Sequence, residues 1–398
     1  MGLYTMKDFA IITPTFTPHF KYITEYLESY DRYVKDKNQI KLVFIISSSE
    51  VQDFFKIIAP YTERCVIDVL LFEDLLKAAG ITQSPEEILR KYGKFSYQTL
   101  KKFLALLSIP ERYSLVLDSE SMWVRDVEMV SVFEEYFKSP FIIFSNSSNL
   151  SLVGPVKAAV IRNNKILFPS INGEWFLESF DWFYDKNILK QMFETTSIID
   201  FIDKVYRLAP EEDKQWGCFE IEMYCSYLYL KREQFQYNFI DAASLLQKSL
   251  KEDFASYMSL YNHVFSGESG CLEQIAVLQN KKPVQLGEAL NSLGVSIVRC
   301  SFSTLTNIDY QKEFFKALDP AILAASQDHC FGINNTFKRK FFYLFLKYNE
   351  TARLGYRILK EVLFPLQKAF NWIKLILKLP VLTVVLVCQV LKNIKVFK

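Results

Sequence analysis

Residues 113–126 read YSLVLDSESMWVRD. A short apolar run from Tyr113 to Leu117 stops at Asp118-Ser119-Glu120. A buried strand that ends in two carboxylates one residue apart places both at the C-terminal edge of a sheet, where open α/β sheets receive ligands. Such a pair suits a hard divalent cation, which takes oxygen ligands and often shares them with substrate phosphates. The same letters also fit a strand followed by a solvated acidic turn, and this stretch alone leaves both readings open.

The preceding chain supplies the sheet. Residues 9–12 form an apolar run closed by Thr13-Pro14-Thr15, residues 41–46 a second run closed by three serines, and residues 66–72 a third followed by Glu73 and Asp74. Between the first two, apolar or aromatic residues at 22, 23, 26, 27, 30 and 33 have helical spacing. The serines could cap a helix over 50–58, and a helix over 95–107 leads into the strand at Tyr113. Strands alternating with helices predict a parallel sheet covered on its faces, an α/β fold. Further on, residues 140–144, 158–161 and 166–168 read as strands, and 219–230 as a Tyr-rich helix.

The 398 residues exceed one ordinary core, so a large domain with an appendage, or two domains, is expected. A hydrophobic content of 50% excludes a disordered chain. The seven cysteines include no C-x-x-C pair, which fits free thiols in a reducing compartment and offers no Cys/His zinc cluster. No basic region followed by a long apolar core opens the chain, so no secretory signal is expected. The net charge of +2 hides an asymmetry, because residues 331–398 hold 13 Lys and Arg against two Glu. This tail is also apolar, but its longest uncharged run, 379–391, is 13 residues. A membrane span needs about 20. A basic helix lying on a membrane surface fits the composition, and a helix hairpin packed on the body or on a second subunit is the other reading. The division expected is therefore a body, 1–330, and a membrane-associating helical tail, 331–398. Basic residues gathered in an apolar tail, with no basic domain, argue against a nucleic-acid partner.

Three stretches resemble glycosyltransferases of the GT-A fold, most closely bacterial enzymes of capsule and lipopolysaccharide synthesis and uncharacterised relatives. They are FAIITPTF (9–16), FSYQTLKKFLAL (95–106) and LVLDSESMWVRD (115–126), and the likeness spans roughly 8–230. The resemblance implies a GT-A-like, Rossmann-type mixed sheet flanked by helices, a nucleotide-sugar donor, and Mn²⁺ or Mg²⁺. Asp118 and Glu120 match the family's Asp-x-Asp positions, with the departure that the second is Glu, whose longer arm leaves the coordination geometry open. Glu120 is the expected direct ligand, and Asp118 binds the metal, directly or through water, or the ribose. Thr13, Pro14 and Thr15 match the place where base and ribose are received, or form an ordinary Pro turn. Gln98, Lys101 and Lys102 lie three and four apart on one helix, so a lysine faces a phosphate or the pair forms a solvated face. With Asp118 and Ser119, residues 13–15, Gln98 and Lys101 make up the expected nucleotide-sugar site. His329 is the candidate third metal ligand, or part of a polar turn.

A base for the acceptor hydroxyl is expected from the second half, among Glu174, Asp181, Glu220 and Glu222. Glu220 and Glu222 lie in a segment similar to the same relatives and do not share a helix face, so one of them at most points inward. Trp175, Trp182 and Trp216 are sugar platforms or core residues. Together these features predict a metal-dependent glycosyltransferase on the cytoplasmic face of a membrane, moving a sugar to a growing surface glycan or lipid-linked acceptor. A nucleotidyltransferase making an activated sugar is the second reading, against which residues 13–19 contain no glycine for a phosphate loop. A non-catalytic, membrane-associated interaction protein is the third.

Overall fold

In a computed structural model, residues 8–123, 125–146, 155–176, 182–241, 297–301 and 321–326 are described. The tail, 331–398, with Asp181 and His329, lies outside the described residues. The elements run β1 (Phe9–Pro14), α1 (Phe20–Tyr33), β2 (Lys41–Ile46), α2 (Val51–Ile58), β3 (Val66–Leu71), α3 (Phe72–Ala78), α4 (Pro85–Ser108) and β4 (Tyr113–Val116). They continue with β5 (Met122–Trp123), α5 (Met129–Lys138), β6 (Phe141–Asn146), α6 (Pro155–Leu167), β7 (Glu174–Trp175) and β8 (Phe183–Asp185). The remainder are α7 (Lys186–Met192), α8 (Ile198–Leu208), α9 (Glu220–Leu230), β9 (Asn238–Asp241), β10 (Ile297–Ser301) and β11 (Ile322–Ser326).

The central sheet has the order β3-β2-β1-β4-β8. Its first four strands are parallel and β8 is antiparallel to β4. The fold is thus a mixed α/β fold with a mostly parallel sheet flanked by helices, as the alternation of runs predicts. Two three-stranded sheets, β10-β11-β5 and β7-β6-β9, complete the described strands.

Successive side chains of a strand point to opposite faces, and both faces of β1, β2 and β4 are covered. Ala10, Ile12, Val43, Ile45 and Val116 pack into a core with Leu100, Phe103 and Leu104 of α4 and with buried residues of α3, α8 and α9. On the other face an aromatic layer gathers: Tyr26 meets Phe44 and Trp123, Phe44 meets Phe54, and Phe9 stacks on Phe133. Each such ring removes roughly 150–250 Å² from water and dominates the packing of its layer.

One expectation fails. Residues 158–161 and 166–168, read as strands, fall in and at the end of α6. Ala158 to Ile161 are all buried. A continuous apolar run of four is equally consistent with a helix packed on every side, so period alone cannot separate the two.

Helix α4 begins with a capping box, in which Ser84 Oγ accepts from Glu87 N and the Glu87 carboxylate accepts from Ser84 N. It kinks at Gly93, whose φ of 80° no helix interior tolerates. Gly217 (φ 45°) lies beside it, and a Cβ there would stand 1.9 Å from Ser96 Oγ. Among the described residues no helix is long and apolar enough to cross a membrane. Gly217→Ala is expected to destabilise the protein by about 2 kcal/mol or more, through φ strain and displacement of Ser96. Urea unfolding of the variant against wild type measures it.

Candidate active site at the sheet edge

Because β1 and β4 are adjacent and parallel, the turns after them emerge side by side. Leu117 N donates to Ile12 O at 3.0 Å, and Ser121 N then donates to Asp118 O at 3.0 Å, which folds the acidic triplet into a turn. Thr13 Oγ1 lies 2.9 Å from Tyr26 OH. Pro14, which lacks an N–H, ends β1, and Thr15 N donates to Ile45 O at 3.1 Å. The Thr15 hydroxyl is buried without a hydrogen-bond partner. Glu50 accepts from Thr17 N and Thr17 Oγ1 at 2.7 Å each, and Glu73 accepts from Ser48 N and Oγ at 2.9 Å each. The C-terminal edge therefore carries Thr13–Thr15, Glu50, Glu73 and Asp118–Glu120 in one row.

Lys101 and Lys102 of α4 are both buried, so the solvated-face reading of this pair fails. The reason is visible in the helix. Ser96, Thr99 and Lys102 recur at a spacing of three and form a polar stripe that receives the segment entering α9. Ser96 Oγ accepts from Cys218 N at 3.2 Å. The single proton of Thr99 Oγ1 is shared between Cys218 O at 2.9 Å and Glu220 Oε2 at 3.1 Å. Lys102 Nζ donates to Glu220 Oε1, stands 3.7 Å from Asp118 Oδ1, and lies 4.9 Å from the centre of the Trp182 ring. One position earlier, Lys101 turns to the other side and donates to Thr15 O at 3.0 Å. Burial pulls the Lys101 ammonium down to about 8, against the opposing pull of Glu50 and Glu73. Gln98 is half-buried on the same helix.

In the acidic turn Asp118 is the open member, with about a third of its side chain exposed, whereas Ser119 and Glu120 are buried. Ser119 Oγ donates to Glu120 Oε2 at 3.0 Å. His19 Nδ1 lies 3.0 Å from Ser119 Oγ and 3.4 Å from Glu120 Oε1. The sequence reading gave His19 no role. It follows Thr17-Pro18 in a single 3-10 turn, and only the pairing of β1 with β4 brings it to residues a hundred positions away.

Glu220 and Glu222 point apart, but both are buried, so the expectation that one at most points inward fails: α9 is enclosed on more than one face. Glu222 Oε2 accepts from Phe176 N at 2.7 Å, and its other oxygen faces Asn164 Nδ2 at 3.4 Å. It anchors backbone inside the core, and Glu220 is the one that reaches the strand end. Glu174, at the far side of α9, accepts from Tyr229 OH at 3.2 Å and from Asn172 N at 2.9 Å. Trp175 is fully buried and offers no ring face, Trp182 packs on Lys102 and Phe219, and Trp216 packs on Phe95.

Among the described residues no group of three or more His, Cys, Asp or Glu side chains is placed to hold a metal ion by itself. A Mg²⁺-type ion needs only one or two carboxylates when substrate phosphates complete its shell. Asp118 and Glu120, one open and one buried at the same turn, fit that donor set.

No family model matches the chain, and no curated protein matches it in sequence. Solved structures to which it is similar include GT-A-type glycosyltransferases. Mouse xyloside xylosyltransferase 1 is 11% identical over 63% of this chain and 93% of its own, with a TM-score of 0.34. Core-mannan synthase A from Aspergillus fumigatus, in a Mn/GDP form, is 11% identical over 56% and 69%, with a TM-score of 0.34. The 4-diphosphocytidyl-2C-methyl-D-erythritol synthase from Anaerococcus prevotii is 10% identical over 59% and 87%, with a TM-score of 0.31. What the site can do rests on its own residues.

Lys101 yields a test of the site's electrostatics. Its folded value of about 8 lies below the ordinary 10.5, so between these pH values the unfolded chain holds a proton that the folded one has released. This group therefore makes stability rise with pH across that window. Lys101→Met is expected to flatten the rise by on the order of 3 kcal/mol, read from urea unfolding of both proteins at pH 7.5 and pH 10.5.

Proposed function

We propose that the protein transfers a sugar from a nucleotide-sugar donor to a glycan or lipid-linked acceptor, with Mn²⁺ or Mg²⁺ bound alongside the donor. The observation that carries this reading is the charge along the sheet edge. Asp118 and Glu220 flank one buried ammonium, Glu120 lies buried in the same acidic turn, and Glu50 and Glu73 act on the other ammonium. A diphosphate entering this edge needs more positive charge than Lys101 and Lys102 provide. Asp118 and Glu120 would hold the cation, which when bound offsets the charge developing on the leaving diphosphate.

The protein's own residues do the rest. Thr13, Pro14 and Thr15 receive the base and ribose, with the unpartnered Thr15 hydroxyl and Gln98 as polar contacts. Lys101 fixes the loop after β1 through Thr15 O. Ser119 orients Glu120. Glu220 is joined to Asp118 through Lys102, which links this base candidate to the acidic turn. The basic, apolar tail would keep the enzyme on the cytoplasmic face of a membrane, next to its acceptor.

Thermal shift with UDP-, GDP- and CMP-sugars, with and without Mn²⁺, tests this reading. A ligand at 100 times its dissociation constant stabilises the fold by about 2.7 kcal/mol. We expect one base class to give a Mn²⁺-dependent shift that Asp118→Ala and Glu120→Ala both abolish. No shift from any nucleotide sugar overturns the reading, and a shift from a nucleoside triphosphate alone replaces it with nucleotidyl transfer.

A further inference from the structure

Among the described residues, Lys102 faces two carboxylates at different depths. Its own side chain is 3% exposed, that of Glu220 1%, and that of Asp118 31%. Glu220 is fixed from behind, since Thr99 Oγ1 donates to its second oxygen and α9 carries it in the first turn. The Trp182 ring and the Phe219 ring packed on it close a further side. The contact with Asp118 is different in kind. At 3.7 Å it is longer than a hydrogen bond, and it faces the open side of the edge. An ammonium held this way keeps Glu220, while the outer carboxylate is able to change partners.

A divalent cation at Asp118 alone would sit close to this fixed positive charge, in a place where burial weakens screening. A diphosphate arriving with the cation reverses the balance, because its oxygens accept from Lys102 as Asp118 turns to the cation. We infer that Lys102, anchored on Glu220, is a positioning residue that couples the two ligands. It neutralises Asp118 in the site without ligand and turns to the diphosphate when the cation takes Asp118, so that cation and nucleoside diphosphate bind far more tightly together than either does alone. This inference rests on the reading of the site proposed above.

The test is binding of Mn²⁺ to the full chain, followed by electron paramagnetic resonance of free Mn²⁺, alone and with UDP or GDP. In the wild type the nucleotide is expected to raise Mn²⁺ affinity by about 100-fold, a coupling at the upper end of the common range. Lys102→Met combined with Glu220→Gln removes both charges of the buried pair and keeps a side chain against Thr99. That protein is expected to bind Mn²⁺ alone about tenfold more tightly and to lose most of the nucleotide's enhancement. Glu220→Gln by itself shifts the other way. It frees the ammonium to engage Asp118 more strongly, so Mn²⁺ alone binds more weakly and the enhancement grows. The opposite signs of the two variants separate this role from general damage to the fold. Unchanged Mn²⁺ affinity and unchanged enhancement in both folded variants overturn the role of Lys102 and leave the cation site standing. A wild type that binds no Mn²⁺ with either nucleotide overturns the reading of the site, and the inference with it.

Discussion

An ammonium group removed from water lies at the centre of this structure. Burying a single unpaired charge costs several kcal/mol, and a buried ion pair repays that cost only when further hydrogen bonds complete it. Lys102 meets the condition through Glu220, which is in turn satisfied by Thr99. Three elements have to be in register for this to happen: α4, which carries Lys102 and Thr99; the turn at Gly217 that leads into α9; and β4, which leads into Asp118. Loss of any one strands a charge in the interior. The tolerance of the region is correspondingly low, as the 1.9 Å approach that a side chain at residue 217 would make to Ser96 shows.

The same network decides how the edge is charged. One face of α4 sends Lys102 toward the acidic turn, and the neighbouring position sends Lys101 toward the loop after β1. Adjacent helical positions point about 100° apart, so two consecutive lysines serve two different parts of one edge. The carboxylates along this edge outnumber the two lysines, so the edge carries an excess of negative charge.

Much of the sheet was legible in the sequence. Strands buried on both faces read as continuous apolar runs, and β1, β2 and β4 each end at or just before a mark that is hard to misread: Pro14, the serines at 47–49, and Asp118. The acidic turn and its place at the sheet edge followed from that order. Residues 158–168 were not legible, because four consecutive buried apolar residues, Ala158 to Ile161, show no period of their own. The partners of the acidic turn were legible only in part. The lysines could be noticed, but the burial of Lys102 depends on Glu220, which is 118 positions away. The one local signal was the spacing of three between Ser96, Thr99 and Lys102, which sets them along one side of the helix. His19 carried no signal at all, since its contacts exist only through the pairing of β1 with β4.

The link between α4 and the start of α9 also bears on how the chain acquires its shape. The residues that complete the surroundings of α4 arrive more than a hundred positions after it, so the contacts that hold the site are among the most distant in sequence. Long-range contacts of this kind slow folding, because the intervening chain has to be closed into a loop before they form. At ordinary synthesis speeds of roughly 5–20 residues per second, the lysine is made on the order of ten seconds before its glutamate. In that interval the first half can assemble its strands, yet it has no stable way to bury Lys102. The edge that holds the candidate active site is therefore the last part of the nascent sheet to become ordered, and a ribosome-bound chain that ends before residue 220 carries the acidic turn without a finished site.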